Sequence, residues 1–109
     1  MPLRGSYGES PDSSTGSAPY GANVYFVVER FWPGSTEDAA LAAMARLRQG
    51  CARLSEGGVA VRWLGGTFVL SDEAVSCRFE GSPQAIRAVH EIAGETFDRM
   101  LPMVELKSD

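Results

Sequence analysis

The stretch that decides the fold is "AVSCRFEGSPQAIRAVHEIAG", residues 74–94. Its first seven residues alternate in polarity, which predicts a strand with Val75, Cys77 and Phe79 on one face. Ser82 and Pro83 then stand where a helix N-cap and a first helical turn favour those residue types, so a helix is predicted from there to about residue 94. The stretch therefore predicts a strand that leads directly into an amphipathic helix.

A longer helix is predicted upstream, over "STEDAALAAMARLRQGCARLSEGG", residues 35–58. Ser35 or Thr36 supplies its N-cap, and Gly57–Gly58 ends it. Apolar residues recur at spacings of three and four, which gives the helix one apolar face. That face consists of Ala40, Met44, Leu47, Cys51 and Leu54.

Three further strands complete the pattern. "NVYFVVERF", residues 23–31, is apolar on both faces, which is typical of a central strand. "VAVRWLGGTFVL", residues 59–70, carries a bend or bulge at Gly65–Gly66, and Pro102 in "RMLPMVELK" favours an edge strand. The order strand, helix, strand, strand, helix, strand predicts an α+β ferredoxin-like β-α-β-β-α-β sandwich. In it, a four-stranded antiparallel sheet carries two helices on one face.

Composition restricts the classes of protein that the chain belongs to. Its 109 residues suit one domain, over residues 23–109, while residues 1–22 are rich in Gly, Ser and Pro and are predicted to form a flexible leader. A net charge of −4 without a basic stripe argues against nucleic-acid binding, and no apolar run is long enough for a membrane span. Two cysteines without a secretory leader indicate reduced thiols in the cytoplasm, and both are predicted to be buried in the core.

The sheet face without helices is the predicted site of function. We expect Tyr25, Val27, and Trp63 or Leu64 to be exposed there, and a broad apolar surface of this kind usually marks an interface or a ligand groove. A homodimer that pairs two such faces is the predicted assembly, with a site sheltered between the subunits. Arg78 and Glu80 share this face, where they either form an ion pair with Glu29 or Arg30 or orient a small molecule. The predicted ligand-binding residues are Tyr25, Trp63, Arg78 and Glu80.

Several segments together resemble a known family: "VER" followed by "PGSTEDAA", then "VRWL", "SCRFEGSPQAIRAVHEIAG" and "FDRMLPMVE". Over about residues 24–106 the chain resembles a family of small ferredoxin-like domains of unknown function whose described members include a nickel-binding protein. The resemblance implies that His90 corresponds to a metal-binding histidine of the second helix, and that Glu29 stands at a first-strand histidine position. Ala42, Ala43 and Met44 stand where a first-helix histidine is expected. His90 and Glu29 are thus the implied ligands of nickel or another divalent metal.

Two classes of function remain open from the sequence. The first is a small dimeric protein that binds a metal ion or a small molecule at or near the open sheet face. The alternative is a cofactor-independent enzyme of the mono-oxygenase or cyclase type, which would act on an aromatic molecule in the same groove with His90 and Glu29 or Glu80 as its acid–base pair. The competing interpretation of His90 is structural: a histidine at the border of a helix face, bonded to a backbone carbonyl or to water.

Overall fold

The computed structural model describes residues 24–104 and 106, and over this range it contains the six predicted elements in the predicted order. The predicted leader, residues 1–22, lies outside the described residues. The elements are β1 (Tyr25–Phe31), α1 (Glu37–Glu56), β2 (Val61–Val69), β3 (Ala74–Gly81), α2 (Pro83–Ala93) and β4 (Arg99–Met103).

Local side chains fix the helix ends. Of the two candidate caps of α1, Thr36 is the one used, since its hydroxyl accepts a hydrogen bond from the Ala39 amide at 3.1 Å. Ser82 caps α2 in the same way, with Pro83 in the first helical turn. Gly94 ends α2 in the left-handed conformation, at φ 71°, which glycine adopts without a steric penalty.

The four strands form one antiparallel sheet in the order β2-β3-β1-β4. This confirms the ferredoxin-like α+β fold, with β1 in the centre and β4, which contains Pro102, at an edge. The predicted irregularity in β2 is also present, because its register against β3 shifts between Trp63 and Gly65. A bulge at this point bends the edge strand and increases its twist.

Both helices pack on the same face of the sheet, which we call the covered face. Phe79 from β3 and Ile86 and Val89 from α2 are fully buried there. The remaining core comes mainly from α1 and the strands: Val28, Ala40, Met44, Leu47, Cys51, Val61, Val75, Cys77 and Ala85. Neither of the described helices is long and apolar enough to cross a bilayer.

The opposite side of the sheet, which we call the open face, has no helix among the described residues. Strand pairing arranges its side chains in four rows that run from β2 to β4. The rows are Arg62–Glu80–Tyr25–Met103, Gly65–Arg78–Val27–Leu101, Thr67–Ser76–Glu29–Arg99 and Val69–Ala74–Phe31.

Candidate functional site on the open sheet face

Three of the four predicted ligand-binding residues lie together on the open face. Tyr25 and Glu80 are directly opposite each other on β1 and β3, and Arg78 lies in the next row, opposite Val27. Val27 is flanked in turn by Leu101 of β4, and both are only half-buried. A phenol, a guanidinium and a carboxylate therefore border a partly exposed apolar strip.

The ion pairs on this face differ from the predicted ones. Glu80 accepts hydrogen bonds from Arg62, with its Oε1 at 2.6 Å from Nη2, and Glu29 pairs with Arg99 at 2.5 Å. Arg30, a predicted partner, lies on the covered face because it alternates with Glu29 along β1. Arg78 takes part in none of the ion pairs formed among residues 24–104 and 106.

Trp63 does not lie on the open face, so its prediction as an exposed ligand-binding residue is corrected. It pairs with Phe79, shares the covered face with Val61 and packs against the hydrophobic core. The guanidinium of Arg48 lies 5.5 Å from the centre of its ring. Alternation before the bulge determines this orientation, because Arg62 and not Trp63 points to the open side. Of the two residues expected on the open face, Trp63 or Leu64, this leaves Leu64, which lies inside the bulge.

His90 belongs to the core, although the sequence predicted it at the border of a helix face. It is 4% exposed, and its ring contacts those of Phe79 and Phe97, at centroid distances of 5.5 and 4.8 Å. Its Nδ1 is 2.8 Å from the carbonyl oxygen of Ile86, a distance at which a neutral ring donates to the carbonyl. Burial lowers the pKa of His90, and the bond to Ile86 and the charge of Glu95 oppose that shift in part.

The two implied metal ligands are not brought together within one chain. His90 faces the sheet from α2 on the covered side, whereas Glu29 points to the open side and binds Arg99. Nor do any three His, Cys, Asp or Glu side chains within residues 24–104 and 106 form a group that could hold a metal ion. Nickel prefers several imidazoles, and the described residues of a single chain do not fit such a site.

A buried ion cluster around Glu95 was missed by the sequence analysis. The Glu95 side chain is 7% exposed and binds Arg30 at 2.7 Å and Arg46 at 2.5 Å. Arg30 also stacks on Trp32, with its guanidinium carbon 3.7 Å from the ring centre. One signal was present, since alternation along β1 places Arg30 under the helices, where a charge needs a partner. The sequence did not indicate that the partner would come from the loop after α2.

The space beside His90 is small. A cavity lined by His90, Cys77 and Glu95 has about 20 Å³ open to water, which is roughly one water molecule. An aromatic substrate does not fit there. In each candidate acid–base pair, His90 lies on one side of the sheet and Glu29 or Glu80 lies on the other.

The two cysteine thiols are buried as predicted. Burial raises the pKa of Cys77 and raises that of Cys51 to about 11, which disfavours the reactive thiolate.

A larger groove lies at one end of the open face. It offers about 360 Å³ of space open to water, within the range of small-molecule sites. Phe31, whose side chain is 62% exposed, forms part of its wall. Asp98 also borders the groove, and its carboxylate accepts a hydrogen bond from the Phe31 amide at 2.6 Å. Other side chains along it are Glu29, Val69, Asp72, Ala74, Ser76 and Arg99.

Comparison with known proteins supports the fold. No protein-family model and no curated protein matches the chain. Among solved structures, SCO4226 from Streptomyces coelicolor A3(2) is similar, with a TM-score of 0.58 and 23% sequence identity. The similarity covers 77% of this chain and 99% of that chain. At this level of identity the likeness shows a shared fold.

Proposed function

We propose that the protein is a small-molecule-binding protein that acts as a homodimer through its open sheet face. The observation that carries the proposal is the grouping of Tyr25, Arg78 and Glu80 beside the half-buried Val27 and Leu101. Polar groups that converge at the border of an apolar surface are typical of ligand sites, because the apolar part supplies affinity and the polar part fixes orientation.

The two halves of the open face have different roles in this proposal. The half formed by β1 and β4 carries Val27 and Leu101, which contribute to the contact between subunits and line the apolar side of the sheltered site. The half formed by β2 and β3 carries Arg62, Arg78 and Glu80 and borders the bound molecule. A domain of this size has a small core, and association is a common way for such domains to bury further apolar surface.

Sedimentation tests the homodimer. At about 100 µM the wild type is expected to have twice the chain mass of 11.7 kDa. Leu101→Asp, which places a charge in the apolar half, is expected to give a monomer. Leu41→Asp is the matched control, since Leu41 is 57% exposed on α1, away from the sheet. A monomeric wild type, or equal association of both variants, contradicts the homodimer.

Ligand binding is tested by chemical-shift mapping with a mixture of small aromatic and aliphatic fragments. Amide shifts are expected to cluster on β1, β3 and β4 around Tyr25, Arg78 and Leu101. Shifts that cluster instead around His90 and Glu95 would assign the site to the covered side and would contradict the proposed site on the open face. Shifts scattered over both helices would contradict a binding site on the sheet.

A further inference from the structure

Among residues 24–104 and 106, the open face carries one more arginine than its carboxylates neutralise. Its strand positions contain five charged side chains, and each of the two glutamates already has an arginine of its own, Arg62 for Glu80 and Arg99 for Glu29. Arg78 is the remaining charge. It lies in the middle of the sheet, on β3, and its side chain is exposed.

The neighbours of Arg78 in its row are apolar side chains toward β1 and a glycine without a side chain toward β2. Toward β1 its neighbours in the row are Val27 and Leu101. Toward β2 it faces Gly65, and the guanidinium lies against that residue so closely that a Cβ there would be 2.2 Å from Nη2. Because Gly65 has no side chain, the guanidinium of Arg78 can pack directly against the backbone of β2.

We infer that the small molecule bound at the open face is a monocarboxylate with an apolar body, and that its carboxylate binds to Arg78. This inference rests on the proposed function and adds the chemical class of the ligand. A guanidinium presents two parallel N–H donors that match the two oxygens of a carboxylate. An apolar body attached to that carboxylate would lie over Val27 and Leu101, next to the ring of Tyr25.

The charges farther along the face favour a single anionic group. Asp98 and Asp72 lie at the end of the sheet beyond Glu29, where they border the groove beside Phe31. A second carboxylate directed along the strands toward that end would meet like charges. The chain as a whole carries a net charge of −4, so long-range attraction does not draw anions to it. Selectivity for the acid must therefore come from the local contact with Arg78.

Three probes of nearly equal shape test the inference: 3-phenylpropionate, its neutral amide 3-phenylpropionamide, and the cation 3-phenylpropylamine. Each is titrated into the wild-type protein while the backbone amide shifts are followed. The acid is expected to bind at least tenfold more tightly than the amide, with the largest shifts near Arg78, Val27 and Leu101. The amine is expected to bind most weakly.

Variants identify the group that is responsible. Arg78→Gln is expected to abolish the preference for the acid over the amide, and Arg78→Lys, which keeps the charge without the paired donors, to retain only part of it. Arg87→Gln is the matched control, because it removes the same charge from an exposed position on α2 and is expected to leave the preference unchanged.

The outcomes separate this inference from the proposed function. If all three probes shift the open face equally, or the amine binds most tightly, the monocarboxylate inference fails and the binding function stands. A preference for the acid that persists in Arg78→Gln also overturns the inference, since the anion would then bind elsewhere. If none of the probes shifts the open face, both proposals fail.

Discussion

The two faces of the sheet share one backbone and differ in what their side chains meet. On β1, Val28 is 4% exposed beneath the helices, whereas its neighbour Val27 remains half-buried on the open side. The covered face carries one charged strand residue, Arg30, which Glu95 neutralises, and the open face carries five. The comparison indicates that the packing that stabilises the fold is concentrated on one side of the sheet, and that the side chains of the other side contribute less to it.

The largest difference between the faces is expected from two phenylalanine deletions. Phe79→Ala removes a fully buried ring from the covered face and is expected to lower the free energy of unfolding by about 3–5 kcal/mol. Phe31→Ala removes an exposed ring from the open face and is expected to cost less than about 0.5 kcal/mol. Urea denaturation measures both, and similar losses would mean that the open face is as well packed as the covered one.

Charge removal is the second test of the comparison. Glu95→Gln leaves the largely buried Arg30 without its carboxylate, and we expect a loss of about 2–3 kcal/mol, reduced from the value for a fully buried pair because Arg46 is half-exposed. Glu29→Gln breaks the pair with Arg99 on the open face and is expected to cost at most about 0.5 kcal/mol. Equal effects in thermal unfolding would contradict the assignment of Glu95 to the core.

Adjacent valines of β1 give a closer contrast. Val28→Thr places a hydroxyl in the core and is expected to cost about 1–2 kcal/mol if it finds no partner there. Val27→Thr is expected to cost less than about 0.5 kcal/mol in dilute protein. A cost of Val27→Thr that grows with protein concentration would locate the proposed subunit contact on the open face.

The last contrast between the faces concerns the titration of His90, which lies on the covered side. Its pKa is lower in the folded chain than the ordinary 6.5, so the unfolded chain takes up the proton first as the pH falls. The free energy of unfolding should therefore decrease below about pH 6.5, by at most about 1.4 kcal/mol per pH unit, until the pH reaches the folded pKa.

The substitution of His90 by asparagine provides the control for this titration. His90→Asn retains an N–H donor near the Ile86 carbonyl but does not titrate. Its stability, measured by urea denaturation between pH 7 and pH 5, should change less with pH than that of the wild type. Parallel pH profiles would show that His90 does not carry the effect, and that the carboxylate of Glu95 offsets the cost of burying its charge.

Most of the fold followed from the sequence, because periodicity and capping are local signals. The alternation of residues 74–80 and the Ser82–Pro83 start of the second helix needed no tertiary information. The location of side chains within the fold was harder to predict. Trp63 was assigned to the wrong face. The bulge that follows it interrupts the alternation of β2, so the sequence did not show which alternate residues of that strand face the helices.

Contacts between the sheet and the segments packed on it could not be predicted from the sequence, for a physical reason. Glu95 reaches Arg30 across 65 positions of the chain, and such a contact depends on how α2 is placed on the sheet. No local pattern encodes that placement. The grouping of Tyr25, Arg78 and Glu80 was predictable, since it needs only alternation within strands and the neighbouring positions of β1 and β3.

The strand order has a consequence for how the chain folds during synthesis. Glu29 of β1 pairs with Arg99 of β4, 70 residues later, so β1 keeps one edge without its native partner until the chain has left the ribosome as far as β4. Contacts between such distant residues slow folding, because the intervening chain must first be brought together. During that interval the unpaired edge of β1 is a template for pairing with other chains. Newly made protein should therefore aggregate most readily when β4 is shortened or its synthesis is interrupted.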